Sequence, residues 1–123
     1  MNVYKTIATV FIAIAITSCG TKSEGTVSKT EVSNGIATST FKVWGNCEMC
    51  KETIEGALKV DGISKADWNV ETKIITVEFD TAKISVDRIQ KNIAIVGYDN
   101  EKYKADDKAY SDLAECCQYD RKK

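Results

Sequence analysis

Apolar positions change their spacing several times along this chain, and each change marks an element. Ile7 to Ile16 is an almost unbroken apolar run preceded by one charge, Lys5. Gly20 to Ala37 has no apolar period and is rich in Ser, Thr and Gly. Phe41 and Val43 then alternate with polar neighbours, as a half-buried strand does. From Glu48 to Lys59 the spacing lengthens to that of a helix, with Ile54, Ala57 and Leu58 as its stripe and Asp61-Gly62 to end it. Ile63 to Asn69 reads as a second strand and Asn69 to Lys73 as a turn. A third strand, Ile74 to Asp80, sets Ile75, Val77 and Phe79 on one face. Ser85 is placed to cap a second helix from Val86, carrying Val86, Ile89, Ile93 and Val96 at helical spacing, and Gly97 stops it. Tyr98 to Tyr103 is predicted as the last strand.

This order, strand-helix-strand-strand-helix-strand, predicts an α+β domain over residues 38–104 of the ferredoxin-like kind, an antiparallel sheet with two helices on one face. The apolar run of residues 1–18 is too short for a bilayer of roughly 30 Å, which takes about 20 residues, and it reads as a signal peptide. Ile16-Thr17-Ser18-Cys19-Gly20 resembles a bacterial lipoprotein cleavage box, which implies that Cys19 becomes the lipid-bearing N-terminus. The expected location is the cell envelope, facing the periplasm, on a membrane anchor. Residues 19–37 are then a flexible linker. Residues 105–123 form a tail in which Asp106-Asp107 starts a short helix with a weak stripe of Tyr110, Leu113 and Cys117.

Composition narrows the chemistry. The net charge of −1 gives no basic footprint for nucleic acid. With no His, a metal site must be built from sulfur and oxygen. With no Pro, the cis-proline that thioredoxin-like redox folds set beside their Cys pair is absent. No phosphate loop or recognisable pair of catalytic carboxylates occurs, so no enzyme is predicted. The chemistry gathers instead at Cys47-Glu48-Met49-Cys50, where strand gives way to helix. Unpaired N–H groups and the positive dipole end there favour thiolate, which binds soft metal ions and attacks disulfides. On the residues alone a structural disulfide, a redox pair and a soft-metal site all stay open. Cys116-Cys117 is a second unusual pair. Cys117 as a packed small hydrophobe, a strained vicinal disulfide, and further sulfur donors from a tail that doubles back are its three readings. The segment from Lys104 to Cys116 covers about 18 Å as helix or about 40 Å extended, against a domain radius of gyration of roughly 11 Å, so the reach suffices.

Joined to that element order, Cys47-x-x-Cys50, Asp61-Gly62-Ile63, Val77-Glu78-Phe79-Asp80 and Gly97-Tyr98 make residues 38–104 resemble the heavy-metal-associated domain. That family includes copper chaperones, N-terminal modules of metal-pumping ATPases and periplasmic mercury-binding proteins. The resemblance implies that Cys47 and Cys50 are metal ligands and that Tyr98 packs beside the metal loop. The family loop usually reads Gly-Met-x-Cys-x-x-Cys; here it reads Gly45-Asn46-Cys47-Glu48-Met49-Cys50. The Met before the first Cys is missing, and Met49 lies between the cysteines, as a loop-packing residue or a weak thioether ligand. Asn46 stands where zinc- and cadmium-type members often carry Asp, which tilts away from zinc. Cu(I) is content with two thiolates in near-linear geometry, whereas zinc takes four ligands. The expectation is therefore a protein that binds Cu(I) for delivery or sequestration, its partner a metal-transporting ATPase or other metal-handling envelope protein. Mercury(II) suits the same geometry, and zinc suits it if Cys116 and Cys117 complete the site. The alternative from another class is a thiol–disulfide exchange protein.

Overall fold

The computed structural model describes residues 29–123. The expected signal peptide, Cys19 and the first part of the linker, 19–28, lie outside the described residues. The elements are strands β1 (Lys29–Ser33) and β2 (Ile36–Lys42), helix α1 (Glu48–Gly56), strands β3 (Ile63–Trp68) and β4 (Ile74–Asp80), helix α2 (Val86–Ile95), and a short helix α3 (Asp107–Ser111). A 3₁₀ turn, Glu115–Cys117, follows. All pairings are antiparallel, in the order β1-β2-β4-β3. The architecture is the expected α+β, ferredoxin-like one.

Strand period two decides which side chains enter the core. Ala37, Ser39, Phe41 and Val43 along β2 and its continuation, and Ile75, Val77 and Phe79 on β4, are all buried. Ile54 and Leu58 from the first helical stretch and Ile89 and Ile93 from α2 close over them. Ser85 caps α2 as expected, its hydroxyl accepting from the Arg88 N–H. α1 is shorter than predicted. Its stripe runs on to Leu58, but the N–H groups of Leu58 and Lys59 bond three residues back, to Glu55 and Gly56, so the helix tightens before Asp61-Gly62.

The predicted last strand is a correction. Of Tyr98 to Tyr103 only Asn100 forms a ladder bridge, to Val43, and the Glu101 carboxylate accepts from the Lys42 N–H beside it. The Asn100 side-chain oxygen accepts from the N–H groups of Lys102 and Tyr103, and the Asn100 N–H bonds the Tyr103 carbonyl, which folds the segment into a tight turn. Asp99 and Asn100 are both fully buried, which consecutive residues facing opposite sides of an edge strand would not be. The edge of β2 is occupied instead by β1, from within the expected linker. Asn34 and Gly35 join the two strands with φ of 50° and 79°, the pair of positive values that a two-residue hairpin turn needs. Every side chain of β1 is exposed, so its sequence carries no apolar period and reads as linker.

The tail is sewn to the domain by buried polar groups. Asp99 accepts from the Ala105 and Lys122 backbone N–H groups and from the Arg121 guanidinium through both carboxylate oxygens, with contacts of 2.7–3.2 Å. Burial alone would raise the Asp99 pKa; Arg121 and these N–H donors outweigh it and hold the carboxylate below its ordinary value. The Tyr119 hydroxyl accepts from the Asp99 N–H at 2.7 Å and donates to the Gly97 carbonyl at 2.8 Å. Its ring stacks on Tyr98 at 5.7 Å and meets the edge of Tyr110 at 5.1 Å. Tyr110 in turn donates to the Tyr119 carbonyl. The residues expected to form one helical stripe thus divide between α3 and a turn, and the Tyr119 contacts return the chain to the cysteine loop.

Candidate metal centre

Cys47 is the N-cap of α1, in extended backbone geometry, and its carbonyl opens the helix by accepting from the Lys51 N–H. This places Cys47 and Cys50 one turn apart with sulfurs at 3.7 Å, both free thiols. Beneath the loop, Gly45 leaves room for Trp68: a Cβ at 45 would meet the indole ring at 2.8–2.9 Å. Trp68 is fully buried, its indole N–H bonded to the Val43 carbonyl at 3.1 Å. The loop that carries the thiols therefore rests on a fixed aromatic floor.

Three sulfurs converge. Those of Cys47, Cys50 and Cys117 all lie within 4.8 Å of one another. Cys50 and Cys117 are buried and Cys47 is half-buried at the rim. The Asn46 backbone N–H donates to the Cys50 sulfur at 3.4 Å. The Asn46 side-chain amide reaches the carbonyls of Cys116 and Gln118 at 3.5 and 3.3 Å, binding tail to loop. The Cys47 thiol donates to the Cys116 carbonyl at 3.7 Å. Cys116 itself is exposed, its sulfur 3.9 Å from that of Cys117 and 3.5 Å from the thioether of Met49. Met49 is 53% exposed, so it does not pack the loop from inside.

Electrostatics distinguishes the thiols. The Cys50 backbone N–H, at the start of α1, holds the Cys47 pKa below the ordinary thiol value against some desolvation. Burial pushes the Cys117 thiol up to about 12, and the nearby Cys50 thiol adds to the rise. Tyr98 is fully buried beside them, its hydroxyl without a hydrogen-bond partner. Burial first, and the thiols of Cys50 and Cys117 after it, raise the Tyr98 pKa. Its O–H is a free donor at the sulfur cluster, where a thiolate would accept it.

Of the residues named from the sequence, the structure brings Cys47, Cys50, Tyr98 and Cys117 together, while Cys116 stays exposed outside the cluster. Four further residues were not anticipated in this role. Asn46 ties the tail down, and Asp99 with Tyr119 and Arg121 positions it. Asp99, Arg121 and Tyr119, two residues after Cys117, stand in the sequence, but no local spacing joins them into a docking set.

Comparison with known proteins bears on this geometry. The heavy-metal-associated domain model matches residues 40–99. The copper chaperone CopZ of Staphylococcus saprophyticus is 38% identical over 66 residues, covering 52% of this chain and 97% of that protein. Among solved structures, oxidized MerP from Ralstonia metallidurans CH34 is 40% identical with a TM-score of 0.50, covering 53% of this chain and 93% of that one. The N-terminal domain of a potential copper-translocating P-type ATPase from Bacillus subtilis, in its Cu(I)-loaded state, is 26% identical with a TM-score of 0.50, covering 57% of this chain and 90% of that one. The chain belongs to the heavy-metal-associated domain family; its domain is of the non-enzymatic metallochaperone kind and binds heavy metal through its Cys pair.

Proposed function

We propose that the chain carries Cu(I) as its cargo, held by the thiolates of Cys47 and Cys50 with Cys117 as a third donor. The observation that carries this reading is the convergence of three sulfurs within 4.8 Å. With a metal–sulfur bond of about 2.3 Å, as zinc makes to thiolate, three trigonal donors stand about 4.0 Å apart and two donors in line about 4.6 Å apart. The cluster is therefore spaced for one soft ion with only small side-chain motion. Thiolates alone suit Cu(I); calcium takes oxygen donors, and zinc asks for a fourth ligand. The similarity to CopZ supports copper. A second reading, mercury(II) bound by the same thiolates, is favoured by the similarity to MerP, and direct competition of the two ions on reduced protein separates them.

A three-sulfur site holds its ion more tightly and hands it over less readily than a pair, which favours sequestration over rapid delivery. Replacing Cys117 by Ser in the full chain is expected to weaken Cu(I) binding by at least about 10-fold, since even an outer-shell partner of a metal site is worth about 10–100-fold. Competition against a Cu(I) chelator under nitrogen measures it, and an unchanged affinity removes Cys117 from the site. The partner that fits is a metal-transporting ATPase or other metal-handling envelope protein, and copper moving to such a domain on mixing is its measurement. For the location we rely on the apolar run of 1–18 and the Ser18-Cys19-Gly20 box: Cys19 carries lipid and tethers the chain to a membrane on the periplasmic side. Partition into a detergent phase should be lost in Cys19→Ala; persistence there counts against lipidation.

A further inference from the structure

The sulfurs of this protein do not end at the three-thiol cluster. Cys116 and Met49 lie just outside it with sulfurs 3.5 Å apart, and Cys116 is 3.9 Å from Cys117. We propose that Cys116, Cys117 and Met49 form a second Cu(I) site, sharing the Cys117 sulfur with the first, so that one chain holds two ions. This rests on the reading of Cys47, Cys50 and Cys117 as the first site.

The spacing is the first argument. Both outer distances fall near the roughly 4.0 Å expected for donors around one trigonal ion at a bond of about 2.3 Å. Thioether and thiolate are the soft ligands that select Cu(I), and the outer three comprise two thiols and one thioether. A thiolate has lone pairs enough to bridge two ions, and Cys117 lies between the inner sulfurs and Cys116. Charge is the second argument. The inner ion with three thiolates leaves a net charge of −2. Adding one Cu(I) while Cys116 loses one proton leaves that charge unchanged, and Met49 contributes none. No oxidant or reductant is needed. Rigidity is the third. The Cys116 carbonyl is held by the Asn46 side-chain amide, and the Met49 carbonyl accepts from the Thr53 hydroxyl at 3.0 Å, so both outer donors hang from held backbone.

The two sites differ in exposure. Cys50 and Cys117 are buried, whereas Cys116 and Met49 face solvent, so the outer ion is open to an incoming ligand and leaves first. The test is titration of the reduced full-length chain in detergent under nitrogen, with Cu(I) supplied as its acetonitrile complex. Bound copper is counted after desalting, and the mass of the complex is measured in the same sample. Two ions per monomeric chain are expected, released to a Cu(I) chelator in two phases. Cys116→Ser should hold one ion and lose the fast phase. Met49→Leu should keep two ions and release the outer one at least several-fold faster. Two ions retained in Cys116→Ser, an unaltered fast phase in Met49→Leu, or a second ion found only in dimers would each overturn the proposal. One ion in both wild type and Cys116→Ser would overturn it while leaving the inner site standing; no tightly held ion in the wild type would remove the inner site, and this one with it.

Discussion

Reduced protein carrying Cys47→Ser together with Cys50→Ser is expected to lose the tightly held inner Cu(I), with the apparent affinity of that site lower by at least about 10³-fold. Loss of a single outer-shell partner costs about 10–100-fold, and here two of three inner donors go. Either single substitution should do less. Because Cys117 lies within 4.8 Å of both loop sulfurs, each single variant keeps two thiols close enough for one ion. A bare Cys-x-x-Cys pair would be left with one. The single and double variants together therefore report whether the tail takes part, independently of Cys117→Ser. The fold should tolerate both changes. Serine is nearly isosteric with cysteine, and at position 50 the Asn46 N–H that now meets sulfur at 3.4 Å remains as a donor to the hydroxyl. At the half-buried position 47 the cost should stay within about 0.5 kcal/mol, as for most surface substitutions. Chelator competition on the three proteins, with thermal unfolding as control, makes the measurement. Equal loss in single and double variants would put Cys117 outside the inner site.

How much of this was legible in the sequence depended on where each element keeps its side chains. β4 and α2 were readable to the residue at their starts because each is half-buried, so Ile75, Val77 and Phe79, or Ile89 and Ile93, print their period into the chain. β1 prints none, since all its side chains are exposed. Its signal was the turn: Asn34-Gly35 beside the alternation of Ala37, Ser39 and Phe41 is the strongest short-range mark of a hairpin, outweighed by the polar composition around it. Tyr98 to Tyr103 misled for the opposite reason. Its aromatic residues look like strand, but Asp99 and Asn100 use their side chains on nearby backbone N–H groups and close a turn instead. The Cys pair was local and therefore visible. The arrival of Cys117 was legible only as one of three readings, because what fixes it is a set of bonds between loop and tail about 70 positions apart in the chain.

That docking makes the metal site sensitive to Tyr119, which is not itself a sulfur donor. Tyr119→Ala removes a ring that is 3% exposed, its stack on Tyr98, its edge contact with Tyr110 and both hydroxyl bonds. A buried aromatic cut to Ala costs about 3–5 kcal/mol, a large share of the stability of a domain this size. The chain has a cheaper response than unfolding, since the tail is held to the domain by a small set of contacts and can release locally. Released, it takes Cys117 away. Apparent metal affinity then falls with the fraction of docked protein, but no further than the affinity of the Cys47–Cys50 pair alone. Tyr119→Ala should therefore match Cys117→Ser in Cu(I) affinity, and a double variant of the two should be no weaker than either. Tyr119→Phe separates ring from hydroxyl. It keeps the stack but leaves the buried Asp99 N–H and Gly97 carbonyl without their partner, at about 1–3 kcal/mol, and should fall between wild type and Tyr119→Ala. Hydrogen exchange of the amides at Ala105, Cys117 and Lys122 would show the tail opening in the same order. If Tyr119→Ala frees those amides yet binds Cu(I) as tightly as wild type, the third sulfur contributes nothing to holding the ion.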